Sequence, residues 1–142
     1  MTRFSCCDDP AGVAVDQGGN VWLADYGAAS VVKLTSAGAM AASVSSPNGI
    51  DAPQGIAIDG AGDVFAANFR GDSITELTGS TAAVISPANG FGHDALLSEP
   101  FGIAIDASGS VCVSNAGNNK VTQFVGLASP IKTPLTGLPA SP

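Results

Sequence analysis

His93 is the only histidine in the 142 residues, and it sits in the longest linker, Gly90-Phe-Gly-His-Asp-Ala-Leu-Leu-Ser-Glu99. Imidazole exchanges a proton near neutral pH. To act as a general base it needs an orienting partner and a substrate pocket. Asp94 and Glu99 are its neighbours in sequence, but the spacing does not bring them round it in space. By itself His93 reads as a solvated loop residue.

Other residues recur. Asp16, Asp59 and Asp106 stand at matching positions, which suggests a ladder of calcium sites. Calcium needs about six to eight converging oxygens, and one aspartate per tight turn does not supply them. Each is read as the start of an Asx turn. Asp25, Asn68 and Asn115 also recur and are read as caps at strand ends, with ligand contact as the alternative. Arg70-Gly-Asp72 spells an integrin-binding tripeptide, yet Gly-Asp is an ordinary turn. Of the three cysteines, Cys6 and Cys7 are adjacent, which disfavours a bond between them, and Cys112 reads as a small core residue. The trio lacks zinc-ligand spacing. There is no Ser-His-Asp order, phosphate loop or cysteine nucleophile. The residues alone therefore lead to no catalytic group, metal or cofactor.

Net charge narrows the partners. The chain carries −7, and its basic residues, Arg3, Lys33, Arg70, Lys120 and Lys132, are scattered. Phosphate neutralisation needs clustered cations, so nucleic acid and an anionic membrane surface are excluded. No apolar run approaches the roughly 20 residues of a spanning helix, and no signal peptide is read behind Met1.

The elements that position these residues come from a unit written three times: Pro10-Ala-Gly-Val-Ala-Val-Asp16, Pro53-Gln-Gly-Ile-Ala-Ile-Asp59 and Pro100-Phe-Gly-Ile-Ala-Ile-Asp106. With 18 glycines, 9 prolines and only 12% charged residues, the chain favours short strands and tight turns. Each unit gives a first strand (12–16, 55–59, 102–106), a second (20–25, 63–68, 110–115) and a third (30–34, 73–77, 120–124). A weaker fourth falls at 41–45, 82–86 and 130–134. Four antiparallel strands per repeat of 43 or 47 residues make a propeller blade. The expectation is an all-β fold, a β-propeller segment of three four-stranded antiparallel blades. Within a single segment spanning 1–142, blade 1 is 10–52, blade 2 is 53–99, blade 3 is 100–135, and 136–142 is a flexible tail.

Pro-x-Gly-Ile-Ala-Ile-Asp-x-x-Gly-x-Val-x-x-x-Asn, with Gly117-Asn-Asn-Lys-Val121 after it in the third copy, resembles the NHL repeat. The linker from Ser86 and the tail from Gly126 resemble those of bacterial NHL proteins near the streptogramin-lyase-like propellers. The resemblance implies a ring of six or seven blades and an extracytoplasmic location. It also implies, for the lyases, histidines and an acidic residue around a divalent metal, a set that one histidine cannot supply.

Three blades do not close a ring. The expectation is an open arc whose exposed faces carry Trp22 at one end and Cys112, or Val111 and Val113, at the other. Either two copies close head-to-tail into a six-bladed ring as a homodimer, or the chain is the C-terminal part of a longer propeller. The second-to-third turns and inter-blade linkers gather at one end, which is read as the binding face. The function read from this is a non-catalytic scaffold binding a protein, peptide or glycan through Tyr26, Phe69, Arg70, His93, Asn115, Asn118 and Asn119. The alternative is part of a streptogramin-lyase-like or lactonase-like enzyme, with an axial metal site completed by further blades.

Overall fold

The computed structural model describes residues 5–131. Ten strands form three antiparallel sheets. The first sheet holds β1 (Pro10–Val15), β2 (Val21–Asp25), β3 (Ser30–Leu34) and β4 (Met40–Ser45) in that order. The second holds β5 (Pro53–Ile58), β6 (Val64–Asn68) and β7 (Ser73–Leu77), and the third β8 (Pro100–Ile105), β9 (Val111–Asn115) and β10 (Lys120–Phe124). The fold is all-β, an open arrangement of three blades. No helix among the described residues is long and apolar enough to cross a membrane.

The repeat explains each strand. Every blade opens on a proline and has a register shift just after it, between Pro10 and Gly12, Pro53 and Gly55, and Pro100 and Ile103. Proline has no N–H for the ladder, so it sits at the first position of the strand, beside a bulge. The recurrent aspartates make the turns. Asp16 Oδ1 accepts from the N–H groups of Gly18 and Asn20, Asp59 Oδ1 from Ala61 and Asp63, and Asp106 Oδ1 from Ser108 and Ser110. At the other end of each blade, Ala29, Asp72 and Asn119 take positive φ, at 47°, 46° and 59°.

Two buried clusters lie between the blades. Trp22, Ala24 and Val31 of blade 1 meet Ile56, Val64, Ala66 and Leu77 of blade 2. Phe65 and Ile74 on the other face of blade 2 meet Val111 and Val113 of blade 3, with Leu97 and Ala128. The first strands β1, β5 and β8 pack side by side along the inner edge. Glycine permits that approach: a Cβ on Gly55 would stand 2.5 Å from the Phe101 carbonyl oxygen, and one on Gly12 would strike the Gln54 carbonyl.

Three expectations change. Trp22 is fully buried against blade 2, and Val111 and Val113 are fully buried against it from the other side. The open faces carry Val13 and Val15 (64% and 63% exposed) at one end and Cys112, Ala104 and Val121 at the other. Alternation separates two faces of a strand but does not say which one the neighbouring blade covers. Second, blade 2 has only an isolated bridge, Leu77 to Val84, where a fourth strand was expected. Ala82, the first residue of the expected strand, takes a positive φ of 59°, outside the extended region. Residues 130 and 131 form no strand, and the rest of the expected strand and the tail at 136–142 lie outside the described residues. Third, Cys6 and Cys7 are joined in a disulfide. Linking neighbours closes no long loop, so the bond does not staple the fold.

Candidate functional site

The polar residue ending each second strand ties down the linker that enters its blade. The Asp25 carboxylate accepts from the backbone N–H groups of Asp8, Asp9 and Ala28. Asn68 Oδ1 accepts from Asp51 N–H, and its Nδ2 donates to Thr75 Oγ1 (2.8 Å), Ser73 Oγ and the Gly49 carbonyl. Asn115 Oδ1 accepts from Ser98 N–H, and its Nδ2 donates to Thr122 Oγ1 at 3.0 Å. The chemistry tracks the neighbour. Where Thr75 or Thr122 offers a hydroxyl, the clip is an asparagine with N–H bonds to give. Where Val32 replaces that threonine in the register, the clip is Asp25, a pure acceptor.

These clips fix the end of the arc where the second-to-third turns and the linkers emerge. Tyr26 and Phe69, each directly after a clip, meet edge to face across blades 1 and 2, with centroids 6.2 Å apart at 71°. The Arg70 guanidinium lies 5.2 Å from the centre of the Tyr26 ring. Together they form an aromatic and cationic ledge with Arg70 exposed.

Beside the ledge an open cleft of about 380 Å³ runs between the linkers after blades 1 and 2, lined by Ser46, Asp51, Gly71, Ser73, Asn89 and His93 among others. The exposed His93 places Nδ1 3.4 Å from the Gly71 carbonyl oxygen. Asp51 and His93 are the two ionisable side chains of the cleft. Neither Asp94 nor Glu99 lines the cleft with His93, and the Glu99 N–H donates to Asp72 Oδ1 at 2.6 Å.

The structure therefore brings Tyr26, Phe69 and Arg70 together and sets His93 in the adjoining cleft. The blade 3 residues stand apart from them. Asn115 is 3% exposed, its amide taken up by Ser98 of the entering linker and by Thr122. Asn118 Oδ1 accepts from Lys120 N–H, and Asn119 holds the positive φ of the turn. Asp51 was missed from sequence, although spacing could have found it. It precedes Asn68 by 17 residues, as Asp8 precedes Asp25 and Ser98 precedes Asn115.

At the opposite end, Lys33 Nζ lies 4.9 Å from the Trp22 ring centre and donates to the Gly79 carbonyl at 2.6 Å. Asp16, beside it, is opposed in ionising by partial burial. Hydrogen bonds from Asn20, Trp22 and Gly18 outweigh that and hold its carboxyl below the usual range.

Comparison with known proteins places this geometry. Residues 8–34 match the NHL repeat. No curated protein matches by sequence. The streptogramin B lyase structure superposes with a TM-score of 0.68 at 20% identity, over 82% of this chain and 37% of that one. A catalytically inactive histidine-to-alanine variant of virginiamycin B lyase from Staphylococcus aureus, with quinupristin, gives 0.63 at 19% identity over 82% and 41%. The selenomethionine form of that lyase gives 0.61 at 16% over 85% and 42%. The chain spans less than half the length of these structures. At these identities the likeness is one of fold: a partial NHL-type propeller similar to the streptogramin-lyase-like propellers.

Proposed function

We propose that this chain is part of a lyase-like propeller enzyme. The arc supplies a substrate-binding wall, and the blades that complete the ring supply the remaining reacting groups. The supporting observation is the likeness to streptogramin B and virginiamycin B lyases over more than four-fifths of the chain, together with a cleft holding His93 and Asp51. In virginiamycin B lyase a histidine-to-alanine change gives a catalytically inactive protein. His93 is the side chain of this arc suited to move a proton, and the Gly71 carbonyl lies within reach to orient its ring.

The divalent metal implied by the resemblance does not fit this arc alone. Among the described residues no three His, Cys, Asp or Glu side chains converge. The ring that completes the site is formed by further blades of a longer chain or by a second copy of this one, and an extracytoplasmic place of action is part of the same reading.

Calorimetric titration with quinupristin tests it. Saturable binding, about tenfold weaker in His93→Ala, is expected. No binding at millimolar ligand overturns the reading.

The ledge of the half-buried Tyr26 and Phe69 with the exposed Arg70 favours a second function, a scaffold that holds a protein, peptide or glycan. Aromatic rings and arginine are the usual anchors of such contacts. Binding of oligosaccharides or peptides that is lost in Phe69→Ala, with no response to quinupristin, decides for it.

A further inference from the structure

The linkers that form the cleft are two versions of one phrase, Ser46-Pro-Asn-Gly49 and Ser86-Pro-Ala-Asn-Gly90. Each ends on Asn-Gly, and these are the two places in the chain where glycine follows asparagine. That pair can react with itself, which makes asparagine a labile residue. The glycine backbone nitrogen attacks the asparagine side-chain carbonyl carbon and closes a five-membered imide. Glycine has no Cβ to obstruct the approach. The N–Cγ bond forms, the Cγ–Nδ2 bond breaks, and the amide leaves as ammonia with the glycine's proton. Water then opens the imide at either carbonyl. One product is aspartate, and the other is isoaspartate, in which the main chain runs through the former side chain.

Both asparagines are exposed, so access to water does not separate them. The attacking nitrogens do. The second linker has one residue more, Ala88, and its Gly90 N–H closes a turn onto the Pro87 carbonyl at 2.8 Å. Phe91, the next residue, exchanges two backbone hydrogen bonds with Ile74 of β7, which holds the peptide against rotation. In the shorter first linker the Gly49 N–H meets no backbone acceptor among the described residues. The Asn48 amide donates from Nδ2 to the Ser45 carbonyl at 3.0 Å, but that bond is exposed and water competes for it.

We propose that Asn48 is a modification site, converting spontaneously to aspartate and isoaspartate while Asn89 persists. Asn48 stands between Pro47 and Gly49, both of which line the cleft of His93 and Asp51. Conversion sets a carboxylate at the rim of that cleft where a neutral amide stood. The isoaspartyl product also adds a backbone atom just before Gly49, whose carbonyl accepts from Asn68 Nδ2 at 3.1 Å and Thr75 Oγ1 at 2.7 Å. Aspartate therefore changes charge alone, and isoaspartate also pulls on the buried asparagine of blade 2. The modification takes place whether the cleft serves an enzyme or a scaffold.

The test incubates the full chain at mildly alkaline pH, digests it at intervals and reads the peptides by mass. Each conversion replaces an amide NH2 by OH and adds one mass unit. Asn48 is expected to convert about tenfold faster than Asn89, the factor set by a hydrogen bond that must first open. In urea, where neither linker is held, the two rates are expected to converge. Asn48→Gln, a change at an exposed position, is expected to remove the early acidic species seen on isoelectric focusing. The isoaspartyl chain is expected to melt a few degrees below the Asn48→Asp variant. Equal rates in the folded chain, faster conversion of Asn89, or a preference for Asn48 that persists in urea overturns the proposal. An isoaspartyl chain as stable as Asn48→Asp overturns its coupling to Asn68.

Discussion

Asn68 Nδ2 lies 2.8 Å from Thr75 Oγ1, and both residues are fully buried. The threonine hydroxyl in turn donates to the Gly49 carbonyl at 2.7 Å. One asparagine thus fastens a linker, a turn and two strands. Asn68→Ala is expected to destabilise the chain by about 2–3 kcal/mol, because it removes the amide that the buried Ser73 and Thr75 hydroxyls accept from, together with the acceptor of the Asp51 N–H. Urea denaturation measures it. A loss below half a kcal/mol would show that water replaces the amide.

Gly55→Ala sets a Cβ 2.5 Å from a backbone oxygen of the next blade, which has little freedom to move. The expected cost is about 1–3 kcal/mol. Gly102→Ala, the same change at the open end, is expected to be close to neutral in the monomer. Comparing the two midpoints in thermal melts checks the point.

Two carboxyls make stability depend on pH in opposite senses. The carboxyl of Asp16 is held below its usual 3.8 by hydrogen bonds that outweigh partial burial. Its contribution is present above that value and is lost as pH falls through the lower folded value. Asp16→Asn is therefore expected to cost stability at pH 7 and little at pH 2.

Glu76 is raised above 4.5, first by burial and then by the charges of Asp63 and Asp59. Its ionisation opposes folding as pH rises through the folded value. Glu76→Gln is expected to stabilise the chain at pH 7 and to leave it unchanged at pH 3. Denaturation of the variant at the two pH values decides it, and a gain that persists at pH 3 would point to packing instead.

Arg70 is exposed and touches Tyr26 only through its ring face. Arg70→Ala should change stability by less than about 0.5 kcal/mol while weakening whatever ligand the ledge holds. A melt and a binding titration on the same sample separate the two effects.

Much of this was legible in the sequence because the unit is written three times. Pro-x-Gly and the turn aspartates fixed where the first strands begin and end, and the alternation of Trp22 with Val21 and Leu23 announced two covered faces. What the alternation withheld was direction, so Trp22 was expected at an open end and lies in a core. The fourth strand of blade 2 misled because Val84 and Ile85 are β-formers, while the positive φ of Ala82, which keeps the stretch from starting as a strand, has no signature in the sequence. The ledge was legible, since Tyr26 and Phe69 share a repeat position. The cleft was not, since Ser46, Asn89 and His93 come from linkers outside the repeat.

Between blades, glycine sits at the inner strand and a ring residue at the middle one: Gly12 with Trp22, Gly55 with Phe65. Each joint is a wedge, thin toward the axis and thick away from it. Curvature is thus encoded as a gradient of side-chain volume along each blade face. Cys112, with Gly102, makes the thinnest wedge face of the three.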